Sequence, residues 1–448
     1  MPIELPIVAP GSAGGDITSA QDGGALLRRT VLPGGVRVIT EKIPGMRSAT
    51  IGAWVNAGSR HEGAGQHGAS HYLEHLLFKG TRTRSAQQIA QIFDAAGGEA
   101  NAATGKEHTC YYARVLDEDV PLALDVICDM ITDPLLEQVE FERERGVILE
   151  EISMHSDDPA DLVFENFSSA LFPDHPLGRP IAGTSAEIQS IDHEALEQYY
   201  RTHYLSSTLV IAAAGGVDHD VICDQVLKAL ETAKWDTSRF ASSQPRIESH
   251  VATSALGDSH TQYRPGQQAN IIIGSRGISA NDDRRFAMSI LHAIYGGGMS
   301  SRLFQQVREK RGLAYSVHSF STGYSDTGLF GVYAGCAVEN SSQVIELIAQ
   351  EWDELAHEGV TDAELRQAKG QARGGLVLGL EDSGARMSRL GRAELIYGEI
   401  SSVDEIIETI NAVSVEDVAQ VVTYLRSQPL IRVGVGPFED GVEQVFQV

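Results

Sequence analysis

Positive charge is scarce in this chain. Its 448 residues carry 35 lysines and arginines against 61 aspartates and glutamates, a net charge of −26. Such a surface repels phosphates, so nucleic acid is not expected as a partner. The acidity suits solubility, and it suits a cavity that attracts basic peptides. Long apolar runs are also missing. No stretch approaches the roughly 18 residues of a membrane-spanning helix, so no membrane partner is expected. Cysteine is rare: Cys110, Cys128, Cys223 and Cys336 form no Cys-x-x-Cys pair. Free thiols, mostly buried, in a reducing compartment are expected rather than a disulfide framework. The opening MPIELPIVAPGSAGGD lacks the basic and apolar regions of a signal peptide and the arginines of a transit peptide. A cytoplasmic location is therefore expected.

What is present is an ordinary globular balance, 42% hydrophobic and 21% charged, over a length sufficient for two or more domains. Residues 1–27, rich in Pro, Gly and Ser, read as a loose arm. Thr30–Leu32 and Val36–Glu41 flank Pro33-Gly34-Gly35 as a hairpin, and Ala49–Ala57 reads as a buried strand. Helices are expected over Ala69–Phe78 and over Ser85–Ala96, the latter capped by Ser85 and stopped by Gly97-Gly98. Strands follow at Glu99–Ala103 and Thr109–Val115, then helices at Leu122–Ile131, Leu136–Ser153, Ala160–Leu171 and His193–Thr202. Residues 236–267 lose periodicity and read as a linker, part of which can add an edge strand.

Residues 268–448 then repeat the order of residues 28–235: strand, helix, two strands, two long helices. The expected fold is therefore α+β, two homologous domains of mostly antiparallel sheet packed with helices. A shift of 224 positions sets Tyr295–Met299 opposite His71–His75 and Gly375 opposite Glu151. On that alignment the second domain keeps the fold and lacks the metal.

The metal is inferred from His71-Tyr72-Leu73-Glu74-His75. Residues four apart on a helix share a face, so His71 and His75 can grip one ion, while Glu74 lies beside His75 free to handle a water. Two imidazoles and a free carboxylate are the minimum of a hydrolytic zinc site. The order inverts the commoner His-Glu-x-x-His, and the inverted form is a zinc-peptidase signature. Zinc is expected ahead of manganese or cobalt from ligand type and availability, which leave the choice among divalent ions open. A third ligand is needed. The segment Glu140–Ile152 offers Glu144 and Glu151, seven apart on one face, with Glu150 about 100° away. Spacing does not choose among these carboxylates.

With these blocks the chain resembles the inverted-zincin peptidases, the group of pitrilysin, insulin-degrading enzyme and mitochondrial processing peptidase. It is most similar to the smaller bacterial members that look like the processing-peptidase β subunit. The resemblance spans about residues 28 to 440. It rests on His71–Thr81, Gly97–Thr104, Glu107–Tyr112 and Arg145–Ile152. It implies Glu151 as the third ligand, Glu144 as a supporting acid that orients His71 or His75, and Glu74 as the base. Arg308 and Tyr315 resemble the family's Arg/Tyr pair, suited to stabilising an oxyanion. The resemblance further implies a homodimer, because family members enclose the site between two halves and this chain supplies one.

Substrate contacts are implied in the same way. Asp161 and Glu165 match an acidic pair that receives an arginine upstream of the cut. Phe78 matches an apolar pocket on the other side of the cut. Asn101 and Ala102 match an edge strand to which an extended peptide can add by main-chain hydrogen bonds. The expected function is a zinc-dependent endopeptidase acting on unstructured peptides or presequence-like segments. The competing readings are a catalytically silent scaffold of the same fold and a zinc hydrolase with a non-peptide substrate.

Overall fold

The structure, a computed structural model, describes residues 18–22, 24–237, 259–397, 400–438 and 446. Most of the expected arm and most of the expected linker lie outside these residues. The parts of each that are described contain strands. β1 (Thr18–Asp22) falls inside the arm, and β8 (Ser259–Tyr263) inside the linker.

The first sheet contains β1, β2 (Ala25–Val31), β3 (Arg37–Lys42), β4 (Ser48–Val55), β5 (Glu99–Thr104), β6 (Thr109–Leu116) and β7 (Leu209–Gly215) in the order β1-β2-β3-β7-β4-β6-β5. The second contains β8, β9 (Gln268–Gly277), β10 (Ala314–Gly323), β11 (Gly328–Ala337) and β12 (Ile431–Gly436) in the order β10-β11-β9-β12-β8. Each sheet is antiparallel except at one pair, β3 with β7 and β8 with β12. Laid side by side, β3-β7-β4-β6-β5 and β8-β12-β9-β11-β10 are one topology used twice. The duplicated α+β fold expected from the element order is therefore present. The shift of 224 does not survive at the first helix, because the Arg285–Tyr295 helix ends at Tyr295 and the following glycines leave it. The connecting segments of the two halves differ in length, so no single shift aligns them.

The compact units are not the contiguous stretches 28–235 and 268–448. One contains residues 1–152, 180–246 and 377–406, and the other residues 153–179, 247–376 and 407–448. Pleating explains the first unit. Ile51, Ala53, Val55, Ile211 and Ala213 face a core shared with the Ala69–Leu77 and Val120–Thr132 helices. The alternate residues Trp54, Val210, Ala212 and Ala214 face Met387, Leu390 and Ala393 of the Ser383–Ile396 helix. A strand covered on both faces reads as an unbroken apolar run, which is what LVIAAAG in β7 is. In the second unit the Pro159–Leu171 helix has the equivalent place. Its Leu162, Val163 and Phe167 pack with Ile272, Leu329 and Val433. Each sheet thus receives a covering helix from the other half of the sequence.

The Ser383–Ile396 helix carries buried charge to its sheet. Glu394 is fully buried and accepts from Arg29 Nε at 2.9 Å and from Arg37 Nη1 at 3.1 Å, both arginines being buried too. Burial lowers the Arg37 pKa, and Glu394 opposes that shift. Arg386 pairs with the buried Glu41 on β3. These charges obscure the apolar stripe of the helix, which is why periodicity alone does not mark it.

Candidate metal centre

The Ala69–Leu77 helix has two faces. Ala69, Tyr72, Leu73, Leu76 and Leu77 are buried, and Tyr72 stacks on Phe141 with ring centroids 4.8 Å apart. His71, Glu74, His75 and, one residue past the helix, Phe78 recur at i, i+3, i+4 and i+7 on the other side. The buried Glu62 fixes the helix N-terminus, its carboxylate accepting from the amides of Gly68 and Ser70 at 2.9 Å each. A carboxylate at this end is favoured by the helix dipole. Gly68 has φ 89°, and a Cβ there would meet Ile188 at 2.5 Å, so glycine is required.

The Gln138–Asp157 helix brings Glu151 to the two histidines. Glu151 Oε1 lies 3.6 Å from His71 Nε2, and Oε2 lies 3.5 Å from His75 Nε2. One ligand atom from each of the three residues falls within a 4.8 Å span. These separations are long for hydrogen bonds. They match the roughly 3.4 Å between neighbouring ligands of a tetrahedral ion held at about 2.1 Å. Among the described residues, this is the one group of three or more His, Cys, Asp or Glu side chains placed to hold a metal. Two imidazoles and a carboxylate fit a zinc ion that keeps one position open.

Glu144, one heptad before Glu151, is buried with only 3% of its side chain exposed. Its Oε2 lies 3.1 Å from His75 Nδ1, and its Oε1 accepts from Lys79 Nζ at 2.8 Å. Of the two histidines, it is therefore His75 that Glu144 contacts. An acceptor at Nδ1 places the ring proton there and leaves the Nε2 lone pair turned toward Glu151. Nothing in the sequence pattern singles out Lys79 as a partner of Glu144.

Glu74 is held from another element. Thr104 Oγ1, at the end of β5, donates to Glu74 Oε2 at 2.5 Å. Among the described residues, β5 is the last strand of its sheet and pairs with β6 alone. Asn101 and Ala102 lie on this edge strand, Asn101 exposed and Ala102 half-buried. Phe78 is half-buried, its ring 6.4 Å from that of Tyr111. No local spacing marks Thr104, the last residue of the Gly97–Thr104 block, as a partner of Glu74, because the two lie 30 residues apart.

The remaining candidates belong to the second unit. Tyr315 sits where the pairing of β10 with β11 shifts register, between Ala314 and Ser316, and is 78% exposed. A bulge of this kind re-aims a side chain. Arg308 stacks against Tyr315 with its guanidinium carbon 5.2 Å from the ring centre. Asp161 and Glu165 are exposed on the Pro159–Leu171 helix, and Asp161 Oδ2 lies 2.8 Å from His155 Nδ1. The structure thus gathers His71, Glu74, His75, Glu144, Glu151, Phe78, Asn101 and Ala102 in one unit, and Arg308, Tyr315, Asp161 and Glu165 in the other.

Residues 37–185 match the family described as insulinase (peptidase family M16), and residues 190–372 match the peptidase M16 inactive domain. An uncharacterized zinc protease of Streptomyces coelicolor is 47% identical over 427 residues, covering 95% of this chain and 92% of that protein. An uncharacterized zinc protease of Mycobacterium tuberculosis is 45% identical over 413 residues, covering 92% and 93%. The crystal structure of a peptidase M16 inactive domain from Pseudomonas fluorescens has the same fold. Its TM-score is 0.83 at 20% identity, covering 95% of this chain and 98% of that one.

Proposed function

This chain belongs to the M16 (insulinase) peptidase family, and we propose that it is a zinc-dependent endopeptidase of the inverted His-x-x-Glu-His type. The observation that carries the reading is the convergence of His71, His75 and Glu151 at tetrahedral-edge spacing, with Glu74 on the same helix face. The names of the relatives, zinc proteases, support it.

When bound, zinc acidifies a water and polarises the scissile carbonyl. Glu74 takes the proton of the attacking water and delivers it to the leaving amine. Glu144 keeps His75 in the ligating tautomer. Tyr315 and Arg308 are proposed to donate to the oxyanion of the tetrahedral intermediate, in a homodimer of this chain. The substrate is proposed to be an unstructured peptide or presequence-like segment that adds as a strand to the open edge of β5, along Asn101 and Ala102. Asp161 and Glu165 are proposed to favour arginine upstream of the cut, and Phe78 an apolar residue after it. A cytoplasmic setting is proposed from the four free cysteines, three of them buried.

The test is hydrolysis of a panel of unstructured, arginine-containing fluorogenic peptides by wild type and Glu74→Gln, with zinc content measured on both. Cleavage by wild type, with a Glu74→Gln protein that binds about one zinc per chain and is inactive, supports the reading. A zinc-loaded wild type that cleaves none of the panel overturns it in favour of a silent scaffold or a hydrolase of other substrates.

A further inference from the structure

We propose that Thr104 is the positioning residue of the catalytic base, so that the strand offered to the substrate also sets the carboxylate that handles the water. The inference rests on the peptidase reading above. It starts from the 2.5 Å hydrogen bond in which Thr104 Oγ1 donates to Glu74 Oε2. A carboxylate at the end of three rotatable bonds loses proton-transfer efficiency when it samples several positions. The Thr104 hydroxyl fixes one oxygen of Glu74 and leaves Oε1 to accept the proton of the water.

The placement of Thr104 makes this support stiff. Thr104 is the last residue of β5 and pairs with Thr109 of β6 across the short turn 105–108. Gly105 N donates to His108 O at 2.8 Å inside that turn. Beyond it, Ser59 N and Arg60 N donate to Gly105 O and Lys106 O at 3.2 and 2.8 Å. Thr109 Oγ1 donates to Ala57 O at 3.0 Å and is buried. The hydroxyl that holds Glu74 is thus anchored through main-chain bonds on both sides of the turn. Among the described residues, the other edge of the same strand pairs with no strand. A peptide that adds to β5 is therefore registered against the backbone that carries the support of the base. Substrate position and base position share one frame, as precise proton transfer requires.

The experiment compares wild type, Thr104→Val and Thr104→Ser by steady-state kinetics, zinc binding and crystallography. Valine keeps the shape and the strand preference and removes the donor. Serine restores the donor. Thr104→Val is expected to lower kcat by about 10- to 100-fold with KM changed much less, zinc affinity as in wild type, and Thr104→Ser most of the way back. In the Thr104→Val crystal structure the Glu74 carboxylate is expected in more than one position. Wild-type kcat in Thr104→Val, or equal impairment in the serine variant, overturns the proposal while leaving the peptidase reading intact. A single unchanged Glu74 position in the valine variant overturns it whether or not any peptide is cleaved. Absence of cleavage by wild type bears on the peptidase reading alone.

Discussion

His75 Nδ1 and Glu144 Oε2 lie 3.1 Å apart, and Glu144 is otherwise bound by Lys79 in a nearly solvent-free position. An acceptor on the far nitrogen of a ligating imidazole raises its basicity and fixes its direction. Glu144→Gln is therefore expected to weaken zinc binding by about 10- to 100-fold, and Lys79→Met to weaken it less. Competition titration against a zinc chelator reads both. Unchanged affinity in Glu144→Gln would remove the orienting role. Zinc is also expected to raise the thermal midpoint of wild type and not of His71→Ala, since a ligand at about 1,000 times its Kd adds roughly 4 kcal/mol to the folded state.

Tyr315 stands out from a register shift in β10 with Arg308 stacked on its ring. A phenol held at a bulge and left exposed has no packing reason to be there. Tyr315→Phe is expected to lower kcat by about 100- to 1,000-fold with KM nearly unchanged, as for the loss of one oxyanion donor. Folding should be unaffected, because the hydroxyl touches no core. Wild-type turnover in Tyr315→Phe would assign the residue to substrate contact alone.

Acid should destabilise the protein through His219. Its imidazole is buried between Thr30 Oγ1 at 2.8 Å and Thr40 Oγ1 at 2.9 Å, and burial, with Arg28 nearby, pushes its pKa down to about 4. His108, packed on Trp54, is likewise lowered to about 4 by burial and by Arg392. Unfolded histidine titrates near 6.5, so between about pH 6.5 and 4 the unfolded chain binds protons that the folded chain refuses. The stability contribution is complete above that window and falls as pH drops through it, by about 1.4 kcal/mol per pH unit for each group. Urea unfolding of the chelator-treated protein at pH 7, 6 and 5 measures the slope. His219→Gln should flatten it; an unchanged slope would exclude His219 as a source.

Glu394 should be among the residues whose truncation the fold tolerates least. It joins Arg29 and Arg37 in a pocket from which water is excluded. Glu394→Ala removes a carboxylate shared by two buried guanidiniums, and a loss of about 3–5 kcal/mol is expected in the urea midpoint analysis. A loss below about 1 kcal/mol would mean that water enters to solvate the arginines.

Much of the candidate metal centre was legible because it is local. The positions of His71, Glu74 and His75 follow from helical spacing, and the Ser85 cap from its own side chain with Gln88 N at 3.3 Å. Glu144 and Glu151 share a face for the same reason. Which of them faces the histidines, and which histidine Glu144 orients, depends on how two helices 69 residues apart in sequence pack.

The sequence by itself determined the repeated order of strands and helices and the residue types of the site, because periodicity and capping act within a few neighbours. Only the tertiary structure decided that Thr104 holds Glu74. It alone decided that Glu394 reaches Arg29 across 365 positions, and that residues 153–179 and 377–406 cover the sheet of the other half. Those pairings depend on which surfaces lose water together. A buried hydrogen bond or ion pair between distant segments leaves no periodic trace in either of them.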